Sequence, residues 1–193
     1  MAKKNHIRST FDEAYYRRYY GDPQTAVITK EDVNRLAMFV VHYLAYLHMP
    51  VRHVLDLGCG VGMWGDVLSR HDANIVYTGV EISPFLCDKY GWVQGSIVNF
   101  TSRSKFDLVI CQGVLPYLGG PDAKAAIENL ATLCRGALYL EAVTEEDRDN
   151  GVYDVKKTDC DIHLRKAHWY HKRLRRHFIA CGGGLFFPRS TIL

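Results

Sequence analysis

The 193-residue chain has six cysteines, at 59, 87, 111, 134, 160 and 181, and no C-x-x-C pair among them. That removes the usual zinc-ribbon and dithiol-redox spacings. The dispersed pattern fits free thiols better than disulfides, and Cys59 and Cys111 fall within or beside apolar, strand-like runs. No apolar run follows the basic opening MAKKNHIRST, so it does not read as a signal peptide. The most apolar helical stretch, residues 36–47, is too short to span a bilayer and carries His42. There is no internal repeat and no low-complexity linker. Charge is nearly balanced, 24 basic against 21 acidic residues, net +3; a balance this even does not imply nucleic acid without a local cluster. What remains is ordinary globular composition, read as one cytoplasmic, non-membrane domain.

What is present alternates. FDEAYYRRYY (11–20) has helical spacing, with Phe11, Tyr15 and Tyr19 on one face and Tyr16 and Tyr20 beside them. Thr29 and Asp32 make a start close to a capping box, followed by Val33, Leu36, Val40, Leu44 and Leu47 at helical spacing up to Pro50. Strands are expected at 53–58, 75–81, 106–112 and 136–143, with a strand or turn at 92–97. Helices are expected at 63–70, 84–89 and 122–134 between them. Strands separated by helices predict a doubly wound, Rossmann-like, seven-stranded, mostly parallel α/β sheet with helices on both faces. The chain divides into an N-terminal helical lid (1–50), a central α/β core (51–145) and a C-terminal segment (146–193). That last segment holds a basic aromatic helix at 164–177 and a glycine-interrupted strand or hairpin at 178–187.

VLDLGCGVGMWG (54–65) carries two overlapping glycine signatures. Gly58, Gly60 and Gly62 form G-x-G-x-G where the first strand turns into a helix, the place where such a sheet binds ligands. Gly60 to Gly65 also spells the G-x-G-x-x-G of a dinucleotide site. Glu81 ends the second strand, 21 residues past Gly60, where a carboxylate can accept both hydroxyls of a ribose. Asp56 favours a cationic amino group in the cleft and repels a pyrophosphate, which argues against NAD. FDLVICQGVLPYL places Gln112 at a strand end near the reacting centre.

VLDLGCGVG, GVEIS and FDLVICQGVLPYL resemble class I S-adenosylmethionine-dependent methyltransferases over about residues 50–145. The whole chain is also similar to a group of small bacterial methyltransferases with an N-terminal YYxRYY helix and a C-terminal WY…L…GGGLF segment. The resemblance implies S-adenosyl-L-methionine as cofactor. Gly58, Gly60 and Gly62, with Cys59 in the same loop, would pack on its methionine portion, beside Asp56. Glu81 would hold the ribose, Ile82 the adenine, and Ser96 and Ile97 the other adenine edge. Gln112 would lie near the sulfonium, and the lid tyrosines, Tyr16 and Tyr20 among them, would reach the cofactor. Many members carry aspartate at the Ser96 position; this chain offers a hydroxyl.

HLRKAHWYHKRLRRHF (163–178) has six Lys/Arg and no acid. An RNA patch is one reading; an amphipathic helix with Trp169 and Leu174 inward is preferred. His163, His168 and His171 near Asp159, Cys160 and Asp161 lack a zinc spacing, so no metal is expected. His163 is the candidate general base, because segments after the fifth strand reach the substrate rim. Methyl transfer rests mainly on alignment. The stretch after the fourth strand lacks the N/D/S-P-P-aromatic motif of nucleobase methylation. A small-molecule acceptor is therefore preferred over tRNA or rRNA, and over a non-catalytic cofactor-binding protein. Oligomeric state is not legible.

Overall fold

The computed structural model describes residues 11–22, 24–26, 28–152 and 161–191. Asp159 and Cys160 lie outside them. The central sheet has strands β1 (His53–Leu57), β2 (Val76–Glu81), β3 (Val93–Gln94), β4 (Phe106–Gln112), β5 (Cys134–Glu141), β6 (Phe178–Gly182) and β7 (Leu185–Pro188), in the order β3-β2-β1-β4-β5-β7-β6. The first five pair in parallel, and β7 pairs antiparallel with both β5 and β6. The glycine-interrupted end of the chain is thus a hairpin that closes one edge.

Period-two alternation splits β4 between two cores. Leu108 and Ile110 join Val40, Leu44, Trp64 and Leu68 on the face covered by helices α2 (Lys30–Tyr46) and α3 (Met63–His71). Val109 and Cys111 join Ile127, Leu130 and Tyr170 on the face covered by α5 (Gly120–Leu133) and α7 (Ala167–Leu174). A short α4 (Pro84–Tyr90) follows β2, with Ser83 as its cap, and α6 (Glu145–Asp149) follows β5. Thr29 and Asp32 form a full capping box on α2.

Two segments depart from the sequence reading, and the strand or turn expected at 92–97 is both. The aromatic N-terminal stretch is a single α turn, α1 (Glu13–Tyr16), that widens into a π turn over Arg17–Gly21. Only Val93–Gln94 of 92–97 pairs as strand, and a turn follows at residues 97–99. The basic helix starts at Ala167 rather than 164, because the residues before it run extended and carry Arg165 into the protein. Among the described residues, no helix is long and apolar enough to cross a membrane.

Candidate active site

The carboxyl ends of β1, β2 and β4 open onto a cavity of about 230 Å³. Gly58 and Gly60 of the β1–α3 turn, Glu81 and Ile82 at the end of β2, and Ser96 and Ile97 after β3 line one end. Gln112, Gly113 and Val114 continue the lining along the end of β4, and Tyr117, Leu118, Asp122 and Asp161 lie beyond them. Phe11, Tyr15, Tyr16 and Tyr20 of the N-terminal segment also reach it. That segment is held at three points: the Ser83 hydroxyl donates to the Phe11 carbonyl (2.6 Å), Tyr15 and Tyr117 share a hydroxyl hydrogen bond (2.9 Å), and Tyr16 Oη donates to Glu81 (3.5 Å).

Glu81 is the junction. Its side chain is buried. Oε2 accepts from the Gly60 N–H (2.9 Å), and Oε1 accepts from the N–H groups of Ile82 (2.8 Å) and Ser83 (3.0 Å). The carboxylate therefore ties the glycine turn to the end of β2. Burial, reinforced by Glu81 itself, pushes the Tyr16 phenol far above its ordinary value, so Tyr16 stays protonated and donates.

The glycines divide the turn's labour. Gly60 has a positive φ of 53°, and a Cβ there would meet nothing within 4 Å. Gly62 also has positive φ, but a Cβ on it would come 2.4 Å from the Trp92 ring. The Trp92 indole N–H donates to the Gly60 carbonyl (3.0 Å), so one tryptophan braces the turn from outside. Gly58 packs against Val114, and a Cβ on Gly65 would come 2.8 Å from the Tyr77 ring. Gly65 thus serves contact between α3 and β2, which accounts for the G-x-G-x-x-G spacing without a pyrophosphate.

Asp56, Cys59 and Gly62 do not line the cavity. Asp56 is buried in β1 and accepts from Tyr77 Oη (2.7 Å). Burial lifts its carboxyl to about 7; the Tyr77 bond opposes this and nearby Glu81 adds to it. Cys59 is buried, and burial pushes its thiol up. The raised Asp56 value has a pH signature. Between about 3.9, the ordinary value, and about 7, folded Asp56 keeps a proton that the unfolded chain has lost, so stability falls as pH rises through that window. Asp56→Asn keeps an acceptor for Tyr77 and removes the titration. Thermal melts of variant and parent should coincide near pH 4 and separate in the variant's favour by roughly 2–4 kcal/mol at pH 7.5. A separation independent of pH would rule this out.

At the other end of the lining, Gln112 is held in one orientation. The Trp64 indole N–H donates to its Oε1 (2.8 Å), which must therefore be the oxygen, and its Nε2 donates to Glu141 (3.3 Å). Glu141 also accepts from Tyr139 Oη (2.7 Å). Ser96 lines the cavity, and its Oγ accepts from the Val98 N–H (3.2 Å). Asn129 on α5 pins this loop by donating to the carbonyls of Ile97 and Phe100, both at 2.9 Å.

His163 lies outside the lining and its side chain is exposed, while its backbone N–H donates to the Pro116 carbonyl (2.7 Å). The residue that turns inward is Arg165. Its guanidinium is buried and donates to the carbonyls of Leu115, Leu118 and His163, holding the 3₁₀ turn Leu115–Tyr117. Arg165 and Arg173 both lie over the Trp169 ring, so two of the six basic residues in this stretch are packed rather than presented as a charged face. Leu174 is buried and Trp169 packs against the core. Among the described residues, no group of three or more His, Cys, Asp or Glu could hold a metal.

Residues 55–136, from β1 into β5, match the family described as methyltransferase domain. The ubiquinone biosynthesis O-methyltransferase of Coxiella burnetii is 29% identical to this chain over 106 residues, 48% of the chain. The chain spans less than half of that enzyme, 44% of its length. Two solved methyltransferases share the fold over nearly the whole chain. The N-methyltransferase NodS from Bradyrhizobium japonicum WM9, in complex with S-adenosylhomocysteine, has a TM-score of 0.63 at 17% identity, covering 95% of this chain and 96% of that one. The magnesium protoporphyrin IX methyltransferase ChlM from Synechocystis PCC 6803, with S-adenosylhomocysteine bound, has 0.61 at 25%, covering 91% and 89%.

Sequence reasoning missed several parts of the site. Trp92 stands in an ambiguous strand-or-turn stretch, and nothing local announces that it reaches back to Gly60. Arg165 was hidden inside a run of surface-like basic residues. Asp122 reads as a first-turn acid on α5, which it is, and only the tertiary fold brings it to the cavity.

Proposed function

We propose that this chain binds S-adenosylmethionine in the cavity and transfers its methyl group to a small-molecule acceptor. The observation that carries this reading is the junction of Glu81 with Gly60: a buried carboxylate at a strand end, bonded to a turn whose glycine leaves open space beside it. The donor set fits a nucleoside. Glu81 would accept ribose hydroxyls, and Ile82, Ile97 and Val98 offer an apolar slot for the adenine beside Ser96. When bound, the cofactor supplies a methyl group already activated by its sulfonium. The chain then has to orient the acceptor and exclude water. Gln112 is held still by Trp64 and Glu141 for the first task, and the tyrosines of residues 11–20 serve the second. The cavity of about 230 Å³ is below the ~300–1,000 Å³ usual for ligand pockets, so the tyrosine segment shifts to admit both ligands.

Residues 1–50 are read as lid, 51–145 as cofactor-binding core and 146–193 as acceptor-side segment of one domain. Among the described residues, four buried free thiols support a reducing compartment, and we place the protein in the cytoplasm. The test is calorimetry with S-adenosylhomocysteine and, separately, NAD. Saturable heat is expected from the first alone; binding of NAD without S-adenosylhomocysteine would reject the reading.

A further inference from the structure

The acceptor end of the cavity has a chemistry of its own. The charged side chains lining it there, among the described residues, are Asp122 at the first turn of α5 and Asp161. Around them stand the rings of Phe11, Tyr15 and Tyr117, with Phe11 against Tyr15 and Tyr117 at centroid distances of 5.0 and 5.3 Å, both edge-to-face. The nearest buried cation, Arg165, spends its donors on the carbonyls of Leu115, Leu118 and His163 and does not line the cavity.

We propose that the acceptor is an amine and that the methyl group goes to its nitrogen. This rests on the methyltransferase reading and deepens it. An ammonium entering an aromatic-walled cavity is favoured by the ring faces, and the exposed carboxylates of Asp122 and Asp161 add a solvent-screened Coulomb attraction. An acceptor carrying a carboxylate or phosphate meets repulsion from the same groups. Asp122 orients the nitrogen by accepting one of its N–H bonds. Once the ammonium has given a proton to water, the nitrogen lone pair forms the new C–N bond. The methyl–sulfur bond breaks, its electron pair stays on sulfur to give S-adenosylhomocysteine, and the methylated nitrogen sheds its extra proton to solvent. Asp122 and Asp161 serve this chemistry without a further base.

The test separates nitrogen from oxygen directly. Small-molecule extract is prepared from cells of the source organism grown on ¹⁵N ammonium, and incubated with the protein and methyl-¹³C cofactor. A product methyl carbon coupled to ¹⁵N is expected. A methyl carbon without that coupling, or no methylated product from protein that binds S-adenosylhomocysteine, overturns the inference. Failure to bind S-adenosylhomocysteine would instead sink the methyltransferase reading beneath it. Asp122→Asn should raise KM for the identified amine about tenfold, the scale of one hydrogen bond to a charged group. Its affinity for S-adenosylhomocysteine by calorimetry should stay within about twofold, and Asp122→Glu should recover much of the loss. An unchanged KM in Asp122→Asn removes Asp122 from the acceptor site and overturns the assignment.

Discussion

Glu81→Ala should melt roughly 10 °C below the parent protein and lose most of its affinity for S-adenosylhomocysteine. The expectation follows from what the carboxylate holds. Three backbone N–H groups, those of Gly60, Ile82 and Ser83, end on its two oxygens inside the protein. Hydrogen bonds to a charged group contribute about 1.5–3 kcal/mol each, and a buried donor left without a partner costs about 1–3 kcal/mol. These do not add fully, because water enters the space that the side chain leaves. A net loss of about 3–4 kcal/mol is the estimate, and for a chain of this size each kcal/mol moves Tm by about 2–4 °C. Glu81→Gln separates the two roles. It retains one acceptor oxygen for the amides but sets an NH₂ against the other donors. It should therefore recover part of the stability and little of the ligand affinity. A Glu81→Ala protein that melts within 2–3 °C of the parent would show that the junction is not what holds the turn.

Gly62→Ala is the second large effect, and it should fall on stability. The residue sits at a φ of 80°, where a side chain costs about 1–2 kcal/mol, and the added methyl meets the Trp92 ring at 2.4 Å. Overpacking of this kind adds about 1–3 kcal/mol, for roughly 3 kcal/mol in all, read by denaturant melts. Trp92→Ala in the same chain should relieve the contact and leave the backbone strain, so the double variant should not lose the sum of the single losses. Additive losses would mean that the ring and the glycine do not meet. Gly60→Ala provides the contrast. Its methyl enters open space beside the cavity, so it should lower affinity for S-adenosylhomocysteine by more than its cost in stability.

Much of the sheet was legible because its signals are local and periodic. β1, β2, β4 and β5 were each recognisable to within two residues, and the capping box fixed the start of α2. The glycine turn and the strand-end position of Glu81 could be read for the same reason: both sit where a strand meets a helix. What could not be read depends on distance along the chain. Trp92 meets Gly60 across 32 residues, and Arg165 meets Leu115 across 50. Neither pairing has a spacing to recognise. Asp56 exposed a second limit: its place in the motif suggested a ligand contact, whereas the fold turns it toward Tyr77. His163 and Arg165 show the same limit from the other side, since two residues of extended chain decide which side chain enters the protein.

Arg165 grips its turn by the backbone. The groups that it holds, the carbonyls of Leu115 and Leu118, are the same in any sequence, so the clamp itself does not depend on which side chains line the cavity at 114, 117 and 118. The path of this wall is thereby uncoupled from its lining. Arg165 lies beyond the stretch 55–136 that matches the methyltransferase domain, and so do Phe11 and Tyr15. On the proposed function, a lineage could in this way change its acceptor by drift in a few wall and flank positions, with the end at Gly60 and Glu81 left untouched.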